Sequence, residues 1–491
     1  MIILCVPWVA LGPKSVYRDS GLIFNYEYLT LMHQKYGVKS LIYLPPDYIE
    51  EFEKGNNPEE SGVYPIYNTL QRNRRRQQDC AIDDFTANRY LTGEVCPIDA
   101  IYTNRQWVVP HMMVQAEDFY NLAPIPVIFQ PTCAGLDGHE KAVVKSREME
   151  MKSEAMAYLS ATRIFWLTDL EVKKGMAIAR AYLSPAETLA VRKKHVVVPG
   201  LIYDGLRKTK MSDKEVCKRL QSKKGKDFVV SYIGRMGSNK NTNDILDTMK
   251  PLFVRHNIQI EVICSGPIIM PEGYKKYADK NDAKNVMTEH RFSHERPREY
   301  YAGVVLPNIH CMIYASQTEA FCATPREAIY VGAPVLLPDR PWARTAFDPK
   351  VYPFFYRDEA ECMAIVKRIK SGDITDDEAK RFNECRKTVQ LTGDTIETVY
   401  QVFKEETESR SKLYRTRRSH SKVLEAFQNS VKVGDEFTWS WLDNEMRKRH
   451  KLSIGEGFKG HTTTSLLALY RFFHPMLECL DPRDGIFKRI S

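Results

Sequence analysis

Phe228-Val-Val-Ser-Tyr-Ile-Gly-Arg-Met-Gly-Ser-Asn-Lys-Asn241 is the stretch on which the fold turns. A short apolar run bounded by turn residues reads as a buried strand, ending at Gly234. Two cations, Arg235 and Lys240, follow on a loop that opens into a predicted helix over Asn241–Phe253. Both stand at the carboxyl end of a strand and beside the positive end of a helix dipole, a setting suited to a diphosphate. No G-x-x-x-x-G-K-[ST] occurs and no G-x-G-x-x-G follows a strand, so neither a P-loop nor a dinucleotide fingerprint explains the cations.

Working outward, the same punctuation repeats in both directions. Upstream, strand-like runs at Ile2–Val6, Ser40–Leu44, Ile98–Tyr102, Val127–Phe129, Arg163–Leu167 and His195–Val198 alternate with helical stretches such as Gly21–Tyr36 and Lys145–Leu159. Downstream, strands are expected at Ile258–Cys264, Ile309–Tyr314 and Pro334–Leu337. Strands alternating with helices predict parallel sheets covered on both faces. The fold class expected is therefore α/β, with two doubly wound Rossmann-like domains facing across a cleft. The expected division is a first Rossmann-like domain over 1–204, a linker over 205–226, a second Rossmann-like domain over 227–404 and a mainly helical C-terminal appendage over 405–491. Ligands in such sheets sit outside the carboxyl ends of the strands, which places the chemistry in the cleft.

A second segment supplies carboxylates. Ile313-Tyr-Ala-Ser-Gln-Thr-Glu-Ala-Phe-Cys-Ala-Thr-Pro-Arg-Glu-Ala runs from strand to turn to helix, with Pro325 suited to the first helical turn. Glu319 falls on the loop and Glu327 in the first turns. Each can accept hydrogen bonds from hydroxyls, one set on a sugar ring and one on a ribose. The unpaired amides at the helix start would face phosphate.

At these residues the chain resembles the retaining nucleotide-sugar glycosyltransferases of family 4, which have the GT-B architecture. Gly234-Arg235 with Lys240 matches their G-R-x-x-x-x-K motif, spacing included. Glu319-Ala-Phe321 with Glu327 matches E-x-F-G-x-x-x-x-E, except that Cys322 stands where the family has glycine. Gly266 after a strand, Pro199-Gly200 and Gly332-Ala-Pro334 are further echoes. The resemblance implies that Arg235 and Lys240 neutralise the departing diphosphate, that Glu319 contacts the sugar hydroxyls and that Glu327 holds the ribose. Phe321, Cys322, Ala323 and Thr324 would line the same donor site, and Gly21 would stand where the family's first-domain glycine loop approaches the phosphates. It further implies a uridine diphosphate sugar as donor, retention of configuration, and no essential metal, since no D-x-D signal or histidine cluster accompanies the cations. Gln130 takes the place of the family's first-domain histidine. His111, His139, Asp99 and Asp137 lie nearby without an assigned role.

Composition bears on the acceptor. The formal net charge of +9 is clustered, with one knot at Arg72, Arg74, Arg75 and Arg76, a second over Arg207–Lys226 and a third through Arg410, Lys412, Arg415, Arg417 and Arg418. Such patches suit a polyanion. Arginines with Tyr64, Tyr67 and Phe85 nearby point to phosphates and stackable bases, hence to DNA carrying a hydroxymethylated or otherwise modified base, as in bacteriophage DNA glycosyltransferases. The alternative is a cell-envelope transferase docked on an anionic membrane surface, with a lipid or polysaccharide acceptor. A degenerate, non-catalytic binding module ranks last, because all four donor residues are present. The eleven cysteines form no C-x-x-C pair, and the N-terminus has neither a basic leader nor a run long enough for a signal peptide. Both features are expected of a cytoplasmic protein, or of one in the host cytoplasm if viral.

Overall fold

The computed structural model describes residues 1–7, 20–44, 46–67, 95–104, 109, 125–131, 144–199, 202–225, 228–233, 259–264, 287–291, 301–316, 319, 321–414, 420–450 and 476–491. Among them, strands β1 (Ile2–Val6), β2 (Lys39–Leu44), β3 (Val63–Tyr67), β4 (Ala100–Thr103), β5 (Val127–Phe129), β6 (Arg163–Trp166) and β7 (His195–Val197) form one sheet. Its order is β3-β2-β1-β4-β5-β6-β7, and every pairing is parallel. All five residues of β1 are buried, as expected of a strand covered on both faces. Alternate residues serve different cores. Ile3, Cys5, Ile42, Tyr102, Ile128 and Phe165 belong to one cluster, while Ile2, Leu4, Leu41, Ile101, Phe129 and Trp166 belong to the other.

A second sheet contains β8 (Val229–Ile233), β9 (Gln259–Cys264), β10 (Met287–Arg291), β11 (Cys311–Ile313), β12 (Val335–Pro338) and β13 (Phe355–Tyr356). Its order, β10-β9-β8-β11-β12-β13, is again parallel throughout. Both sheets wind outward from a central strand and then cross back, so each has one point where the order reverses. That point lies between β1 and β4 in the first sheet and between β8 and β11 in the second.

Three strands escape the apolar pattern of the sequence, and all three are sheet edges. β3 carries Pro65, β10 reads Met-Thr-Glu-His-Arg, and β13 has two residues. Edge strands tolerate proline and polar residues because one side of the backbone needs no partner.

Of the stretch read as a linker, 205–226, residues 205–225 are described and are structured. A 3-10 segment (Asp204–Thr209) leads into the helix Asp213–Gln221, which opens with a reciprocal Ser212–Glu215 capping box. That helix packs on the second domain, where the fully buried Arg386 guanidinium bonds Asp213 at 3.3 Å, Asn383 at 2.6 Å and the Met211 carbonyl at 2.6 Å. The helix Thr392–Tyr414 runs through the expected boundary at 404 and lies against the first domain. Its buried Ile396, Val399 and Phe403 recur at helical spacing and continue the core of the first sheet, with Phe403 edge-on to Tyr102 and Phe165. Arg163 pairs with Glu406 at 2.6 Å.

The appendage adds a sheet to its helices His420–Ser430 and Trp439–His450. Strands β14 (Glu436–Thr438), β15 (Leu477–Asp481) and β16 (Ile486–Arg489) pair antiparallel in the order β14-β16-β15. Phe427, Phe437, Trp439 and Phe487 join the same buried cluster as Ile2 and Leu4, so this unit packs on the first domain. Among the described residues, no helix is long and apolar enough to cross a membrane.

Candidate active site

In an open parallel sheet, neighbouring crossovers leave a crevice where the strand order reverses, and ligands lodge there. The second sheet reverses between β8 and β11. Gly234 and Arg235 follow the last residue of β8 directly, and Glu319 lies on the loop after β11. Topology thus puts the two sequence motifs on the two strands that flank one crevice. Gly234, Arg235, Lys240 and Gly266, with Arg72, Arg74, Arg75 and Arg76 of the first domain, lie outside the described residues.

The carboxylate segment is described in detail. After β11 the backbone passes Tyr314 and Glu319 and enters the helix Ala323–Val331. The buried Tyr314 hydroxyl donates to Glu319 Oε1 at 2.5 Å. Burial, then the charge of Glu319, holds the Tyr314 phenol well above its ordinary range, so it stays a donor. Tyr314 is itself fixed: its ring meets Trp342 edge-on at 6.0 Å, and its carbonyl accepts from Tyr356 Oη at 3.0 Å. Trp342 Nε1 in turn donates to the Ser316 carbonyl at 3.2 Å. These contacts fix the hydroxyl that holds Glu319.

Cys322 has φ 61° and ψ 48°, the only non-glycine residue in the left-handed region among those described. A side chain there costs about 1–2 kcal/mol, which glycine would avoid. The conformation turns the chain sharply from loop to helix. Cys322 occupies the N-cap position without a side-chain cap, and no acidic residue falls in the first turn. Ala323 and Thr324, partly exposed, therefore stand at the positive end of the helix with no carboxylate of the first turn to offset it. Phe321 is buried, and the Arg326 guanidinium lies 5.0 Å from its ring centroid while donating to the Phe321 carbonyl at 3.0 Å and the Ala346 carbonyl at 2.9 Å. Glu327, one turn into the helix, is 7% exposed.

On the first sheet, Gly21 stands in the opening turn of the helix Ser20–Tyr36 that follows β1, one of the two strands at its reversal. Gln130 follows β5 and is buried; its backbone N–H donates to the Thr103 carbonyl at 2.9 Å, and its side-chain oxygen accepts from the Tyr102 hydroxyl. Across the reversal, Thr103 Oγ1 donates to the Val6 carbonyl at 2.8 Å.

Sequence reasoning passed over Tyr314, Arg326 and Asn104. Tyr314 and the buried Asn104 each directly follow a strand, and that position was the available signal. Arg326 had none, because its partners are backbone carbonyls. No group of three metal-ligating side chains occurs among the described residues.

Residues 213–385 match the family model described as glycosyl transferases group 1. A search of curated proteins gives no match. Among solved structures, sucrose-phosphate synthase (tll1590) from Thermosynechococcus elongatus superposes with TM-score 0.57 at 14% identity, covering 83% of this chain and 99% of that one. WaaG, a glycosyltransferase involved in lipopolysaccharide biosynthesis, gives TM-score 0.51 at 13% identity, covering 82% and 99%. Anabaena Alr3699/HepE in complex with UDP gives 0.50 at 11%, covering 82% and 99%. The chain has the GT-B fold, and the match over its second sheet supports a glycosyltransferase of group 1.

Proposed function

We propose that this chain transfers a sugar from a nucleotide diphosphate sugar, a UDP-sugar in the first instance, to an acceptor hydroxyl with retention of configuration. The observation that carries the reading is topological: both donor motifs follow the strands on either side of the second sheet's reversal. Bond cleavage leaves positive charge on the sugar and adds a negative charge to the two that the diphosphate already carries. Arg235 and Lys240 answer the latter, and so does the uncapped start of the helix Ala323–Val331. Glu319, held by Tyr314, takes the sugar hydroxyls and Glu327 the ribose. UDP is the nucleotide bound in the structural neighbour from Anabaena. The cations meet the charge requirement of departure without an essential metal.

For the acceptor we propose a modified base in DNA, on the strength of the Arg72–Arg76 knot. The observation favouring the second reading, a lipid or polysaccharide at an anionic membrane surface, is a pair of exposed apolar side chains. Leu189 and Met156 stand on the adjacent helices Pro185–Arg192 and Val144–Ser160, in segments that also carry Arg192, Lys193 and Lys152.

Incubation with radiolabelled UDP-sugars and, in parallel, base-modified duplex DNA or lipid extract separates these readings. Label in DNA supports the first acceptor, and label confined to lipid or glycan removes it. Full transfer by Arg235→Ala or Glu327→Ala protein would overturn the donor site itself.

A further inference from the structure

Two thiols distant in sequence meet where the C-terminal sheet joins the first domain. Cys96, on the approach to β4, is completely buried in the cluster against which the partly buried Cys479 of β15 packs, and the Cys479 thiol is near enough to raise the cost of ionising Cys96. The backbone that follows Cys479 is pinned to the same place. Tyr64 Oη and Lys39 Nζ both donate to the carbonyl of Leu480, the next residue. Gly485, in the turn between β15 and β16, lies so close to Val95, the neighbour of Cys96, that a Cβ there would fall 1.9 Å from the Val95 carbonyl oxygen. Arg483 stacks on the Tyr64 ring at 5.3 Å. The two sulfurs are therefore held together by contacts that do not involve them.

Metal binding does not account for the pair. The nearby Asp99 carboxylate accepts from the Ile2 N–H at 2.7 Å, and Asp481 is engaged by Arg483 at 3.0 Å. No three-ligand group exists among the described residues.

We propose that Cys96 and Cys479 are a disulfide-forming pair that locks the C-terminal sheet onto the first domain under oxidising conditions. The oxidant is a low-molecular-weight disulfide. Cys479, the more accessible thiol, attacks one of its sulfurs, forming a mixed disulfide and releasing one small thiol. Cys96 then attacks the Cys479 sulfur, the mixed bond breaks, and the second small thiol leaves. The two protein thiols lose two electrons in all, the small disulfide gains them, and both protons end on the released thiols. Burial keeps the Cys96 thiol protonated well above its ordinary range, which makes the second step the slow one and speeds it as pH rises. The closed loop spans most of the chain, the case in which a cross-link restricts the unfolded state most.

The test uses the full chain incubated with oxidised glutathione, followed by alkylation of free thiols and peptide mapping without reduction. The expected result is a peptide joining Cys96 to Cys479, with the unfolding midpoint raised by several degrees and restored by reductant. Cys479→Ser should give neither effect, and Cys96→Ser should retain glutathione on Cys479 where the native chain releases it. A glutathione adduct that stays on Cys479 of the native chain, or a cross-link joining other cysteines, would overturn the proposal. Should Cys96→Ser fail to fold, the native chain and Cys479→Ser still decide.

Discussion

Tyr36 lies flat on Tyr400, with ring centroids 3.9 Å apart and planes within 6°. The first ring ends the helix Ser20–Tyr36 and the second belongs to the helix Thr392–Tyr414, so the stack closes a contact between positions more than 360 residues apart. Tyr36 Oη also donates to the Glu397 carboxylate. A stacked aromatic pair contributes about 1 kcal/mol beyond its buried area. A double-mutant cycle on Tyr36→Ala and Tyr400→Ala, read by denaturant unfolding, should return a coupling of about that size. Additive single effects would mean that the stack contributes nothing.

Replacing Cys322 tests the strained turn. Cys322→Gly removes a Cβ from the left-handed region and should hold or raise stability by about 1 kcal/mol. Cys322→Val should lower it, since a β-branched residue tolerates this conformation worst. Thermal unfolding measures both, and titration with UDP shows whether the turn's shape carries donor affinity.

Tyr314→Phe leaves the packing against Trp342 and deletes the hydrogen bond to Glu319. A bond to a charged group is worth about 1.5–3 kcal/mol, so kcat/KM for transfer should fall by roughly 10- to 100-fold. If Glu319 contacts the sugar, UDP alone should bind unchanged. Loss of UDP affinity in step with activity would place the carboxylate elsewhere.

Glu171 provides a pH signature. It is almost wholly buried beneath the start of the helix Asp169–Tyr182, with Oε2 accepting from the Leu167 N–H at 2.7 Å, and burial pushes its carboxyl up to about 7. In the unfolded chain the same group ionises near its ordinary value of 4.5. The unfolded state therefore binds fewer protons between those values, and stability falls as pH rises from about 4.5 to 7, then levels off. Glu171→Gln keeps the acceptor and should be more stable than the native chain at pH 8, by up to about 3 kcal/mol, with little difference at pH 4. Unfolding midpoints across that range check the direction.

Much of this was legible in the sequence because buried parallel strands announce themselves as apolar runs. β1, β2, β5, β6, β8 and β9 fall within a residue or so of where the runs place them. Three of the four edges of these two sheets did not, since β3, β10 and β13 are shaped by what they lack on one side, whereas the edge β7 was read at His195. The path of the helix Thr392–Tyr414 was hidden for another reason: its stripe of Ile396, Val399 and Phe403 shows that it buries a face without naming the partner. The motif Glu319–Glu327 was readable because spacing on one strand, turn and helix is local. Tyr314 and Arg326 were not, since their roles depend on Trp342, Tyr356 and Ala346 arriving from later in the chain.

The return of the helix Thr392–Tyr414 changes what counts as a domain. Thr392 donates from both its backbone N–H, at 2.9 Å, and its hydroxyl, at 2.8 Å, to the carbonyl of Ile202, so the outgoing and incoming connections lie side by side. Among the described residues, the unit built on the first sheet is discontinuous, made of residues from the first two hundred and those from the helix Thr392–Tyr414 onward, and the unit built on the second sheet is an insert between them. A fragment ending at the connector would leave Tyr102 and Phe165 bare where Phe403 covers them. The insert, by contrast, enters and leaves at one point, and can be exchanged as a unit without parting the two stretches of chain that build the other half.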